Sequence, residues 1–281
     1  MQLQTIPEGA GPSAAATFLL ALVQGLTEFL PVSSSGHLVL IGEALDIQST
    51  GLVLDVALHL GTLIAVVAFY RRDLLRMLLE AGSGGAREIA LLFVASLPAA
   101  IAGLALHEEF SARFHDGRSA AFGLLATAVV LAVADRVRVA RARGAPPLEE
   151  AGIPAPARAV GFADAVWIGI AQAVAILPGV SRSGTTISVG MMLGLAPERA
   201  ARFSFLMSIP VIGGAVLLEG GRALRDPAPG LSPALVAWGV AVAALVGWAA
   251  LRVLLAFVSR GAFAWFALYC AVLGAGYLFL A

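Results

Sequence analysis

The stretch Gln24–Leu38, QGLTEFLPVSSSGHL, decides how this chain folds. It begins as an apolar helix, breaks at Pro31, runs through Ser33, Ser34 and Ser35, and restarts at Gly36. In hydrocarbon every backbone N–H and C=O needs an internal partner. Broken backbone survives there only where protein or a water-filled cavity covers it. The stretch also carries Glu28 and His37, side chains that are costly in lipid and by default mark a functional site. A second stretch, Gln172–Ile187, QAVAILPGVSRSGTTI, breaks in the same manner at Pro178-Gly179 and adds Arg182.

The surrounding chain predicts a membrane. Of its 281 residues 59% are apolar and 13% charged, against about 25% charged in a soluble domain. Several apolar runs reach 18 residues, about 27 Å of helix and close to one hydrocarbon core. The formal net charge is zero, which points to no nucleic acid partner. All 18 basic residues are arginine. The single cysteine, Cys270, excludes an internal disulfide. The first 16 residues hold no basic segment ahead of the apolar run, so no cleaved signal peptide is expected.

Taken in order, 17–30 and 36–46 predict two short helices that enter and leave the membrane on one side. Spans are expected at 52–70, at 88–106 with Pro98 kinking the helix, and at 119–136. Residues 73–85 read as a connector. After a basic, Pro-rich loop the plan recurs, with short helices at 162–177 and 184–195 and spans at 200–219, 235–257 and 263–280. The expected fold is all-α and polytopic, with six transmembrane helices and two re-entrant helix-turn-helix pairs. A shift of 148 residues lays Gln24 on Gln172, Ser33 on Ser181, Ser35 on Ser183 and Gly36 on Gly184. Residues 1–140 and 159–281 therefore read as two halves of one membrane domain. With three spans each they are inverted relative to one another. Arg71, Arg72, Arg76, Arg87, Arg136, Arg138, Arg141, Arg143, Arg158 and Arg260 gather on one side, which predicts that side to be cytoplasmic. The first pair then enters from outside. Inverted repeats with broken helices place a site at the midplane between them.

Each pair restarts a helix at its tip, near Gly36 and near Gly184. A helix N-terminus offers unpaired N–H groups and a partial positive charge, which suits phosphate. Ser33, Ser34, Ser35, Ser181, Ser183, Thr185 and Thr186 add hydroxyls. Arg182 adds a guanidinium fork matched to phosphate oxygens; its bland alternative is an internal pair with Glu28. Gln24 and Glu28 share one helix face. Glu28 reads as a base, a cation ligand or a neutraliser of Arg182, and His37 as a proton carrier or a nucleophile. Asp55 and His59, at i and i+4 in the first span, read first as a structural polar pair lining the cavity and second as catalytic. His107 and His115 fall in a polar loop and read as solvated. Gly213, Gly214, Gly274 and Gly276 suggest close helix packing. No transition-metal signature appears.

These motifs closely resemble the undecaprenyl-diphosphate phosphatase family, also called the bacitracin-resistance protein family. Its (E/Q)xxxE element stands here as Gln24 to Glu28, its SSxGH as Ser33 to His37, and its PGxSRSxxT as Pro178 to Thr186. The resemblance implies hydrolysis of undecaprenyl diphosphate to the monophosphate that carries cell-wall (peptidoglycan) precursors. It implies a divalent cation such as magnesium or calcium, a homodimer among the membrane lipids of the bacterial inner membrane, and a site facing the periplasm. The matching catalytic positions are Glu28, Ser34, His37 and Arg182. Gln24, Ser33, Ser35, Ser181, Ser183, Gly184 and Thr186 are expected to bind substrate. Ser34 and His37 both stand as the nucleophile. Gln24 takes the neutral option, which leaves Glu28 as the acid at the tip. The competing reading is a transporter or flippase of a polyprenyl phosphate lipid.

Overall fold

In the computed structural model the break at Pro31 separates two short helices, α1 (Ala14–Thr27) and α2 (Ser34–Ala44). The structure describes residues 12–45, 51–105, 116–144, 158–225, 232–259 and 263–281. His107, His115, Arg260 and the Pro-rich loop centre lie outside them. After α2 come α3 (Gly51–Phe69), α4 (Arg71–Leu79), a 3₁₀ turn, α5 (Gly85–Ala105) and α6 (Gly117–Gly144). The second half holds α7 (Phe162–Val174), α8 (Arg182–Met192), α9 (Pro197–Arg225), α10 (Pro233–Ser259) and α11 (Phe263–Leu280). No strand occurs among the described residues.

The protein is an all-helical, multi-pass membrane protein. Helices α5, α6, α9, α10 and α11 are each long and apolar enough to cross a membrane. Helix α3 continues into α4 across a 64° bend, and the two make a sixth span when counted as one broken span. On α5, Phe93, Leu97, Ile101 and Leu104 form an exposed apolar stripe, while Leu91, Leu92, Ala95 and Ala99 are buried. A soluble surface does not carry such a stripe; lipid accepts it. Pro98 sits inside α5, which runs on through it.

The connector read at 73–85 is in part the helix α4. Its Leu74, Leu75, Met77, Leu78 and Leu79 alternate with Arg71, Arg72, Asp73 and Arg76, an amphipathic pattern rather than a spanning one. A charge network holds it bent. Arg202 on α9 pairs with Asp73 (2.8 Å) and with Glu88 on α5, and Arg76 reaches Glu88 at 3.5 Å. At the opposite end Asp116 caps α6 through the amides of Arg118 and Ser119. The Ser119 hydroxyl at 2.5 Å, with those amides, holds the Asp116 carboxyl below its usual range.

The short helices are held by the long ones. Helix α1 lies on α10, α7 lies on α5, and α8 packs between α6 and α9. Phe29, at the first break, meets Phe205 of α9 edge to face at 5.7 Å. Both breaks thus sit in the middle of the main core, beside Leu124, Ile187, Leu206 and Met207. One packing expectation holds only in part. A Cβ at Gly274 would lie 2.8 Å from the Ala121 carbonyl, but Gly214 and Gly276 have nothing within 4 Å.

Candidate active site

The first tip is built on a strained serine. Helix α1 ends at Thr27, and a tight turn carries the chain to Ser33, which stands at φ +68°. It is the one non-glycine residue at positive φ among the described residues. Such a conformation costs about 1–3 kcal/mol and persists where the surroundings enforce it. Here the Ser33 Oγ caps α2 by accepting from the Gly36 N–H (3.2 Å), and its carbonyl accepts from the His37 Nδ1–H (2.7 Å). The strained turn brings Ser34 back over the end of α1. The second tip is capped alike, with Ser181 Oγ accepting from the Gly184 N–H at 3.0 Å. In each tip the capping serine also lies 3.3 Å from a second serine, Ser35 or Ser183.

The two tips interlock. The Ser183 hydroxyl donates to the Leu30 carbonyl (3.0 Å), and the Gly179 N–H reaches Ser35 Oγ (3.4 Å). Helix α6 cradles the second tip. Thr127 Oγ lies 3.0 Å from the Gly123 carbonyl and 3.2 Å from the Gly179 carbonyl, and it accepts from the Ser181 N–H at 2.9 Å. Gly179 is at φ +78°, and a Cβ at Gly123 would stand 2.0 Å from the Pro178 carbonyl oxygen. Gly123→Ala is therefore expected to push the Pro178-Gly179 turn off α6 and destabilise the protein by about 1–3 kcal/mol. Thermal unfolding checks this against Gly276→Ala, where open space admits the methyl group and the melting temperature does not fall.

Where the tips meet, Glu28 is the hub. Its side chain is 3% exposed. Oε2 accepts from Ser34 Oγ (2.7 Å) and from Gln24 Nε2 (2.9 Å), and Oε1 accepts from Arg182 Nη2. Arg182 was open to two readings, and the internal pair with Glu28 is present. The pair uses only part of the fork, because Arg182 Nη1 is buried with no partner. A buried N–H group without a partner costs about 1–3 kcal/mol, and an anion's oxygen would satisfy it. Helix α8 begins at Arg182, so its N-terminal field adds to this positive end.

The other expected site residues divide. Thr186 turns away from the hub: its hydroxyl lies 2.7 Å from the Arg182 carbonyl and 2.6 Å from Ser204 Oγ on α9. It braces Arg182 from behind. Ser33, Ser181 and Gly184 are engaged in the caps. His37 lies one turn along α2 from Ser34. Its Nδ1–H is held by Ser33, so in the neutral ring Nε2 accepts from the Tyr269 hydroxyl on α11 at 2.6 Å. The rings of His37 and Tyr269 stack at 5.6 Å. Neither Tyr269 nor Thr127 was visible in the motifs. His59, read first as half of a polar pair with Asp55, donates its Nδ1–H to the Asp55 backbone carbonyl (2.7 Å), and its Nε2 lies 3.7 Å from Glu28 Oε2.

No group of three or more His, Cys, Asp and Glu side chains converges among the described residues. Both Glu28 oxygens already accept hydrogen bonds, and Gln24 Oε1 is a single neutral oxygen without a partner. Magnesium asks for six oxygens and calcium for six to eight. These residues do not form a cage for a resident cation.

Known proteins share this chain almost end to end. Residues 17–276 match the family described as bacitracin resistance protein BacA. An undecaprenyl-diphosphatase of Rubrobacter xylanophilus is 42% identical over 264 residues, covering 89% of this chain and 92% of that protein. Undecaprenyl-diphosphatases of Geobacter metallireducens and Moorella thermoacetica are 40% and 41% identical, covering 92% of this chain and 95% and 94% of theirs. With the three motifs meeting at one buried hub and the match running across both halves, the chain belongs to the bacitracin resistance protein BacA family.

Proposed function

We propose that this protein is a membrane phosphatase that hydrolyses undecaprenyl diphosphate to undecaprenyl phosphate and inorganic phosphate, returning the lipid carrier to cell-wall synthesis. The observation that carries the reading is the Ser34 hydroxyl donating to the buried Glu28 carboxylate at 2.7 Å, beside a guanidinium with one N–H group unpartnered. A hydroxyl on a carboxylate base is an activated nucleophile. A cation and a helix N-terminus next to it stabilise the charge that develops on a transferring phosphoryl group.

The geometry favours Ser34 over His37 as the nucleophile, since both imidazole nitrogens of His37 are already hydrogen-bonded. Ser34 Oγ attacks the terminal phosphorus as its proton passes to Glu28. The bridging P–O bond breaks and its electron pair leaves on the prenyl monophosphate. Water then releases phosphate from Ser34. His37 is a positioning residue that ties the turn carbonyl to α11. A divalent cation, implied by the family resemblance, would come with the diphosphate and offset its charge, since these residues alone do not cage one.

Finer parts of the reading rest on the sequence pattern and the resemblance. They are the two inverted repeats at 1–140 and 159–281, the re-entrant course of both pairs, the inner-membrane location, a site facing the periplasm and a homodimer. The reciprocal packing of α1 on α10 and α7 on α5 supports the repeats.

Phosphate release from undecaprenyl diphosphate in detergent tests the reading. Wild type releases phosphate, a chelator stops it, and Ser34→Ala abolishes it. Acid quenching with a labelled terminal phosphate traps label on Ser34. Label on His37 instead would overturn the nucleophile. No release from folded wild type supplied with cation and lipid would overturn the enzyme in favour of a transporter.

A further inference from the structure

We infer that His59 is a catalytic proton relay, carrying the proton that Glu28 takes from Ser34 out to water; this step rests on the phosphatase reading above. The argument starts from burial. Glu28 is 3% exposed at its side chain and cannot hand a proton to solvent directly. Once it has accepted the Ser34 proton, its neighbours decide where that proton goes. Gln24 meets Oε2 with an amide N–H, which has no lone pair to offer. Arg182 is already a cation and does not take a proton. Ser34 Oγ is by then bonded to phosphorus. The fourth neighbour is His59, whose Nε2 lies 3.7 Å from Glu28 Oε2.

The imidazole is set for this task. Its Nδ1 faces the Asp55 carbonyl at 2.7 Å, and a carbonyl only accepts, so Nδ1 carries the hydrogen and the Nε2 lone pair faces the carboxylate. The His59 side chain is 35% exposed, so the ring faces the buried acid on one side and lies open on the other, where the relay requires water. The 3.7 Å gap is longer than a hydrogen bond. Catalytic contacts of this kind tighten when substrate is bound, or close through one water. On the packed helices Arg202 of α9 is engaged with Asp73 and Glu88, Glu219 of α9 with Arg222, and Arg252 of α10 lies over the Trp248 ring. His37 is held by Ser33 and Tyr269.

The chemistry balances. Ser34 loses its proton to Glu28 as Oγ bonds to the terminal phosphorus and the prenyl monophosphate departs with the bridging oxygen's electron pair. Glu28 passes that proton to His59 Nε2, and His59 releases it to water. Glu28, again a carboxylate, takes a proton from the water that attacks the phosphoserine and returns it to Ser34 Oγ as that oxygen leaves. Diphosphate trianion and water thus become monophosphate dianion, hydrogen phosphate and one proton, and it is this proton that His59 exports.

The test is the rate of phosphate release in weak buffer, with kcat and KM separated. His59→Gln keeps an amide that can still hydrogen-bond Glu28 but cannot relay a proton. It is expected to lower kcat about 10²-fold with KM unchanged. His59→Ala is expected to fall equally and to recover as free imidazole is added, while the wild type ignores the addition. Wild-type kcat in His59→Gln, or a loss in His59→Ala that imidazole does not mend, would overturn the relay and leave the phosphatase standing. Melting temperatures of both variants identify a loss that comes from misfolding, which would likewise count against the relay. A wild type that releases no phosphate overturns the phosphatase reading itself, and the relay with it.

Discussion

Glu28→Gln is expected to lower phosphate release by about 10³-fold while the purified protein remains folded. The substitution changes one oxygen to nitrogen at the point where Ser34, Gln24 and Arg182 all converge. An amide accepts a hydrogen bond from Ser34 but cannot take its proton, so the nucleophile is lost without loss of shape. The variant also leaves the Arg182 charge facing an amide in a site with little water. Removing one partner of a buried ion pair costs about 3–5 kcal/mol, so the melting temperature should fall with the activity. The two effects separate in Glu28→Gln/Arg182→Met, where no charge is left unpaired. That double variant should regain much of the melting temperature and none of the activity. Phosphate release that returns with the stability would show that Glu28 only holds the fold, and would return the role of base to His37.

The sequence made the breaks legible and left their meeting unread. Pro31 and Pro178-Gly179 interrupt apolar helices, and in lipid an interruption needs a cover, so the position of the site could be read before any contact was known. The identity of the contacts could not. Ser34 and Glu28 are six residues apart, and no helical spacing joins them. They meet because Ser33 takes a positive φ that serine rarely adopts. Tyr269 stands 232 positions from His37 and arrives on the last helix, a distance over which single-sequence patterns carry no information. His59 was noticed through its i, i+4 spacing from Asp55, which drew attention along its own helix instead of across to α1. Helix α4 was blurred into a connector because its arginines broke the apolar run, whereas Arg202 and Glu88 turn those charges into the anchor of a bend.

Arg182→Lys should lower kcat/KM by about 10²–10³-fold with a melting temperature close to wild type. The contrast lies in how the two cations divide their donors. Arginine holds Glu28 through Nη2 and keeps Nη1 buried without a partner. A lysine ammonium can preserve the ion pair, and so the stability, but it lacks the planar fork that reaches carboxylate and phosphate together. Arg182→Ala should lose the same activity and also the stability, because Glu28 then stays charged in a buried site without its guanidinium partner. Steady-state kinetics and thermal unfolding on the three proteins read both quantities. Wild-type kcat/KM in Arg182→Lys would mean that Nη1 never touches the phosphate. The pair with Glu28 would then be the whole function of the residue. If the loss appears as predicted, the unpartnered N–H group is the part of the site prepared in advance. Its desolvation is met when the protein folds, and binding an anion there restores the hydrogen bond that folding left unmade.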